Sequence, residues 1–301
     1  MLAVVEKQCP ACKAYRTLHT NTKAPDKKHV INAFRLKFKP NYIKQYDEEA
    51  IFRAAFKSKI PLIVKGPTGC GKTRFIEHMA YALGLPLVTV SCHEDLTAAD
   101  LVGRFLFKDN ETVWQDGPLT LAVRHGGICY LDEIVEARKD TTVIIHALTD
   151  DRRLLYIDKT GDVIRAHPQF MMVLSYNPGY QSIIKDLKES TKQRFASLVF
   201  GNPPVDVETR IIQTESGLPE DDSRKLAEMG SKIRELKGFG LDEGVSSRLL
   251  VYVGRLIKEG LTPVEACTCA ISHTLTDEAE VVGSIQNIVK LYFGNLMENE
   301  Q

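Results

Sequence analysis

The sequence predicts an α/β protein, a parallel sheet covered by helices on both faces, followed by a smaller helical domain. Three observations carry this. Gly66-Pro67-Thr68-Gly69-Cys70-Gly71-Lys72-Thr73 fits G-x-x-x-x-G-K-[ST], between an apolar run of strand length, Pro61–Lys65, and Phe75, Ile76, Met79, Ala80 and Leu83 at helical spacing. Further strand-length runs, Leu87–Ser91, Ile128–Asp132, Met171–Tyr176 and Ser197–Phe200, have helical stretches between several of them. After Pro203-Pro204 the segments Val205–Ser216, Asp221–Lys237, Ser246–Glu259, Pro263–Ser272 and Glu278–Phe293 all read as helices.

Read in order, residues 1–46 form a basic N-terminal extension, with nine Lys or Arg against two acids from Glu6 to Lys39. The α/β core is expected over 47–204 and the helical domain over 205–301. A helix begins near Asp47 with Ile51, Phe52, Ala55 and Phe56 on one face. Two intervals are too long for simple loops. Phe105-Leu106-Phe107 and Thr112-Val113-Trp114 flank Asp109-Asn110, and Leu154–Ile157 and Val163-Ile164 flank Lys159–Asp162. Each pattern predicts a β-hairpin.

Composition narrows the class. Of 301 residues, 44% are hydrophobic and 26% charged, ordinary for a soluble globular chain. Lys+Arg and Asp+Glu both number 39, so no global field favours nucleic acid or an anionic membrane. No apolar run approaches the roughly 20 residues that span a bilayer, so no membrane insertion is expected and the chain reads as cytoplasmic. The seven cysteines, an odd count scattered through apolar segments, are no disulfide framework. Cys9-Pro10-Ala11-Cys12 is a single Cys-x-x-Cys. His19 and His29 fit no standard zinc spacing with it, so two free thiols on a flexible arm are expected.

The chemistry follows from strand–loop–helix geometry. Such a loop aims backbone N–H groups at one point, and the helix N-terminus adds positive potential there, which suits phosphates. Gly66, Pro67, Thr68, Gly69, Cys70, Gly71, Lys72 and Thr73 therefore form the expected nucleotide-binding loop. Lys72 reaches the β/γ-phosphates of ATP and Thr73 supplies an oxygen to Mg²⁺. Ile128–Glu133 is an apolar strand ending in two acids. Asp132 is placed to hold Mg²⁺ opposite Thr73, and Glu133 to polarise the attacking water. Asn177, ending the strand from Met171, can hydrogen-bond the γ-phosphate or that water. Arg194, just before the last strand, can complete a neighbour's site. Arg248, opening a helix of the second domain, can swing onto the phosphates.

This ordered set resembles the AAA+ ATPases. The two hairpins look like the helix-two and pre-sensor inserts of the MoxR branch. More narrowly, Lys65–Thr73, Leu96–Phe105 with Trp114–Leu119, Ile128–Thr142, Ser175–Gln181, Lys185–Phe195 and Leu236–Tyr252 are similar to the CbbQ/NirQ/NorQ family. The similarity covers about Glu48 to about Asp277. The resemblance implies an AAA+ P-loop NTPase core with a five-stranded parallel sheet, two β-hairpin inserts and a C-terminal helical lid. It implies Lys72 and Thr73 as Walker A, Asp132 and Glu133 as Walker B, Asn177 as sensor one, Arg194 as arginine finger and Arg248 as sensor two. It also implies a homo-hexameric ring that remodels or activates a client enzyme with a partner carrying a von Willebrand factor A domain, its hairpins facing the pore or rim. The clients of that family include Rubisco and nitric oxide reductase, and Leu236–Gly244 looks more like the Rubisco-activating members. Nitric oxide reductase activation is the alternative. The chain departs from the family in its longer N-terminal segment.

Two other classes compete. A nucleic-acid motor should line its inserts with cations and aromatics. The first insert has only Arg104 and Lys108 against Asp100, Asp109, Glu111 and Asp116, so no specific nucleic acid is expected. A small-molecule P-loop kinase has no account of Arg194 or the lid.

Overall fold

A computed structural model describes residues 27–178, 187–238, 240–241 and 243–294. Cys9 and Cys12, and any metal they could hold, lie outside the described residues. The first elements are α1 (Lys27–Asn32), α2 (Glu48–Ser58), β1 (Leu62–Lys65), α3 (Lys72–Leu83) and β2 (Leu87–Ser91). A short α4 (Ala98–Val102) leads into the hairpin β3 (Gly103–Lys108) and β4 (Glu111–Asp116), then α5 (Pro118–His125) and β5 (Gly127–Asp132). After α6 (Lys139–Ile144) comes the second hairpin, β6 (Leu154–Ile157) and β7 (Asp162–Arg165), then β8 (Phe170–Tyr176), α7 (Glu189–Lys192) and β9 (Ala196–Val199).

β2, β5, β8, β1 and β9 form, in that spatial order, a five-stranded sheet, and each neighbouring pair is parallel. Successive residues alternate between its faces. Leu62, Val64, Ile128 and Tyr130 pack against Phe52, Phe75 and Met79, while Ile63, Cys129 and Leu131 pack against Leu101, Leu119 and Val123. Both faces are covered, so the strands read as continuous apolar runs. In the first hairpin Asp109 and Asn110 both adopt positive φ, 51° and 66°, the turn that matches strand twist.

The lid comprises α8 (Val205–Ser216), α9 (Glu220–Arg234), α10 (Ser247–Lys258), α11 (Pro263–Cys267), α12 (His273–Leu275) and α13 (Ala279–Phe293), with a π-helical turn over Thr268–Ser272. It buries its own core of Ile212, Leu226, Met229, Leu250, Ile271 and Ile285.

Two expectations meet a different outcome. Part of the segment read as an extension joins the core. Val30, Ile31 and Phe34 are buried with the sheet, and the Phe34 carbonyl accepts from Leu87 N–H at 3.0 Å. Ile51, expected on one face with Phe52 and Ala55, is exposed. Phe52 and Ala55 face the sheet, and Ile51 instead borders a small cleft beside β9.

Candidate functional site

The Gly66–Thr73 loop runs from the carboxyl end of β1 into α3, as its flanking pattern requires. Gly71 is the helix N-cap at φ 100°, and Gly69 sits at φ 70°, both left-handed positions open to glycine. A Cβ on Gly69 would lie 2.6 Å from Cβ of Ser246, so the loop also meets the lid at closest approach. The Lys72 side chain is buried and folds back on the loop, its Nζ donating to the carbonyls of Gly66 at 2.7 Å and Pro67 at 2.9 Å. Cys70 is buried, and burial pushes its thiol up despite nearby Lys72, leaving a small apolar side chain.

A hydroxyl network joins the strand ends to the loop. Tyr130 O–H donates to Asp132 Oδ1 at 2.7 Å, and its oxygen lies 3.3 Å from Thr73 Oγ1. Ser175 Oγ donates to the same Asp132 oxygen and accepts from the Glu133 N–H at 3.2 Å. Asp132 and Thr73 therefore face one another across a single phenol, two oxygen donors of the hard kind that Mg²⁺ prefers. Glu133 has φ 55° and ψ 47°, a left-handed conformation unfavourable for a residue with a Cβ. That turn carries its side chain away from the strand's alternation into the cleft. Burial pushes its carboxyl up, Lys72 opposes the rise, and Asp132, Glu136 and Glu243 add to it.

Asn177, one residue past β8, is buried. Its Nδ2 donates to Thr68 Oγ1 at 3.3 Å and Glu243 Oε1 at 2.5 Å. From the lid, α10 places Arg248 in a cleft of about 600 Å³ that Thr68–Thr73, Asp132 and Glu133 also line; Asn177 is not itself a lining residue and reaches the cleft through its bond to Thr68. Ser246 caps that helix by accepting from Leu249 N–H. Ser247 donates to buried Glu208 at 2.5 Å, and Arg234 grips the same carboxylate at 2.6 and 2.8 Å while donating to the Val245 carbonyl.

The structure thus gathers Gly66–Thr73, Asp132, Glu133, Asn177 and Arg248 at one end of the sheet. Arg194 is not among the cleft's lining residues. It precedes β9, whose first residue Ala196 pairs with Leu62 at the opposite end of β1, roughly 13 Å along the strands from the loop at about 3.3 Å per residue. There its guanidinium meets the His146 carbonyl at 3.4 Å and Asp150 at 3.8 Å. Sequence reasoning passes over Tyr130 and Ser175, polar side chains inside runs that read only as apolar strands, and over Glu243 as a partner of Asn177.

The cleft fits a nucleoside triphosphate. A glycine-opened loop surrounds a lysine ammonium held by that loop's carbonyls, and two oxygen donors converge beside it.

Comparison with known proteins agrees with this geometry. The family model described as AAA domain (dynein-related subfamily) matches residues 61–195, and CbbQ/NirQ/NorQ C-terminal matches residues 208–292. Protein CbbQ of Hydrogenophilus thermoluteolus is 56% identical over 250 residues, covering 83% of this chain and 94% of that protein. Protein NorQ of Paracoccus denitrificans is 55% identical over 255 residues, covering 85% and 94%. The denitrification regulatory protein NirQ of Stutzerimonas stutzeri is 48% identical over 255 residues, covering 85% and 93%. Among solved structures, a point mutant of Thermotoga maritima RuvB shares the fold, with a TM-score of 0.51 at 15% identity over 84% of this chain and 73% of that one. Matched along both its sheet domain and its lid, and about half identical to named members, the chain belongs to the CbbQ/NirQ/NorQ family of MoxR-type AAA+ ATPases, ATP-hydrolysing enzymes with an activase-type role.

Proposed function

We propose that the chain is the motor subunit of a hexameric activase that couples ATP hydrolysis to remodelling of Rubisco, with a partner carrying a von Willebrand factor A domain. The observation that carries the reading is the convergence of Lys72, the Thr73–Tyr130–Asp132 hydroxyl network and Glu133 on one cleft. Lys72 would hold the β/γ-phosphates, with Asp132 and Thr73 holding Mg²⁺, which supplies charge neutralisation on the phosphoryl oxygens. Glu133 orients a water for in-line attack and accepts its proton, Asn177 positions that water or the γ-phosphate, and Arg248 contributes from the lid. Arg194, at the far end of the strands, serves the neighbouring subunit's cleft, which makes a ring necessary for turnover. The hairpins β3–β4 and β6–β7, with Phe107 exposed at the first, would face the pore or rim.

The Rubisco assignment leans on the wording of Leu236–Gly244. Nitric oxide reductase is the second reading, since the 55% identity to NorQ is level with the 56% to CbbQ. The test supplies the purified chain, the partner and ATP to Rubisco inhibited by a sugar phosphate, in parallel with inactive nitric oxide reductase. Wild-type protein should restore Rubisco activity, and Glu133→Gln should bind ATP and restore none. Recovery of the reductase alone would reassign the client, and recovery of neither would overturn the activase reading.

A further inference from the structure

Glu243 stands where the proposed mechanism has no use for it. It belongs to the segment joining α9 to α10, and its Oε1 takes an N–H of Asn177 at 2.5 Å. An Asn amide nitrogen has two hydrogens, and here Thr68 and Glu243 each accept a bond from it. A phosphate oxygen arriving at Asn177 must therefore displace one of them. The Thr68 bond, at 3.3 Å, lies within the loop, whereas the Glu243 bond crosses from lid to core.

Electrostatics selects which one yields. Glu243 does not line the cleft, but through Asn177 it adjoins Thr68 of the loop and its charge reaches Cys70 and Glu133, so phosphates bound there would meet a like charge, screened less than in bulk water. The segment carrying Glu243 is not free to drift. Two residues on, Val245 is buried and its carbonyl is held by Arg234 at 2.8 Å, and Ser246 closes on Gly69. Expelling the carboxylate must therefore pull on the first turn of α10 and on Arg248.

We propose that Glu243 is a latch on Asn177 that discriminates nucleoside triphosphate from diphosphate, being driven off by the γ-phosphate and returning after hydrolysis. This rests on the reading of Asn177 as facing the γ-phosphate. It gives lid and core different contacts in the two nucleotide states, the differential interaction that any ligand-driven switch requires.

Competition binding with a fluorescent nucleotide tests it on full-length protein. Glu243→Gln keeps an acceptor and removes the charge, and Glu243→Ala is the second variant should the first perturb folding. Both should bind AMP-PNP on the order of tenfold tighter with ADP affinity nearly unchanged. The gain should shrink in an Asn177→Ala background. Amide hydrogen exchange over residues 235–246 should speed up on AMP-PNP and not on ADP in the wild type, and the two should match in Glu243→Gln. Equal changes for both nucleotides, or none, would overturn the latch. Lys72→Ala separates the two levels: loss of both nucleotides there leaves the phosphate-loop reading standing whatever Glu243 does. Unaltered binding in Lys72→Ala would remove that reading and the latch together.

Discussion

The carboxyl ends of the strands and the lid both deliver charged side chains to one cleft, but they hold them by different physics. At the strand ends, position follows from the glycine turn and the parallel ladder. Lys72 and Thr73 open α3 directly after a glycine turn, and Asp132 ends β5, with Glu133 next to it, one strand removed from β1 in the sheet. In the lid, Arg248 is placed by groups far apart in sequence. Glu208 on α8, Arg234 on α9 and Ser247 on α10 meet in one buried cluster, separated by 26 and 39 residues. The first arrangement also joins residues distant in sequence, 57 apart for Thr73 and Tyr130 and 43 for Ser175 and Asp132, but the parallel ladder fixes the strands that carry them. The second depends on an ion pair in which Glu208 is fully buried and Arg234 is 12% exposed, where the loss of one member strands the other.

Arg194 offers the largest break in this comparison, because it belongs to neither arrangement within one subunit. Arg194→Ala should retain ATP binding and lose roughly 10³–10⁵ in turnover, the usual cost of an absent arginine finger. Co-assembling it with Glu133→Gln from dissociated protein should restore partial activity at interfaces where an intact Glu133 meets an intact Arg194 from next door. Recovery should vary with the mixing ratio. Wild-type turnover in Arg194→Ala alone, or no recovery after verified co-assembly, would place the arginine outside the trans role.

A smaller effect separates the lid from the strand ends directly. Glu208→Ala leaves Arg234 without its bidentate partner and should destabilise the protein by about 3–5 kcal/mol. Replacing Ser175 by Ala removes the bond it donates to Asp132 and the one it accepts from the Glu133 N–H and should cost less, about 1–3 kcal/mol. In thermal melts, Glu208→Ala should lower the transition well below Ser175→Ala and weaken ATP binding through misplaced Arg248. Equal melting temperatures for the two variants would erase the contrast.

Local signals decide what is readable in the sequence. The phosphate loop, the acid-ended strand, both hairpins and the lid helices carry local signals: glycine spacing, turn residues and apolar period. The ion-pair cluster does not, because Glu208 and Arg234 occupy helical positions whose charge looks solvent-facing until the helices pack. Tyr130 and Ser175 are hidden for the opposite reason, being polar groups within strands buried on both faces. Val30, Ile31 and Phe34 lie in a basic stretch with little periodicity, so only tertiary packing reveals that they belong to the core. Arg194 is visible as a residue, but its distance from its own cleft becomes evident only from the register of β9 on β1.

The smallest expected effect concerns the pH dependence of hydrolysis, and it links the two regions. In the proposed mechanism Glu133 accepts a proton as a carboxylate, so turnover should require its deprotonated form. Burial raises its pKa above the ordinary glutamate value, and the charges of Asp132, Glu136 and Glu243 raise it further against the pull of Lys72. Protonation therefore sets in at a higher pH than for an exposed glutamate, and turnover should fall on the acid side as pH drops through that raised value. Glu243→Gln removes one of the charges that raise it, so the acid limb should move to lower pH. Glu208→Gln, which lies in the lid's own cluster away from Glu133, should leave the limb in place. Binding of AMP-PNP over the same range accounts for the nucleotide's own ionisation. An acid limb that ignores Glu243→Gln would show that the lid carboxylate and the strand-end carboxylate do not share a field. A shift toward higher pH would reverse the sign of their coupling.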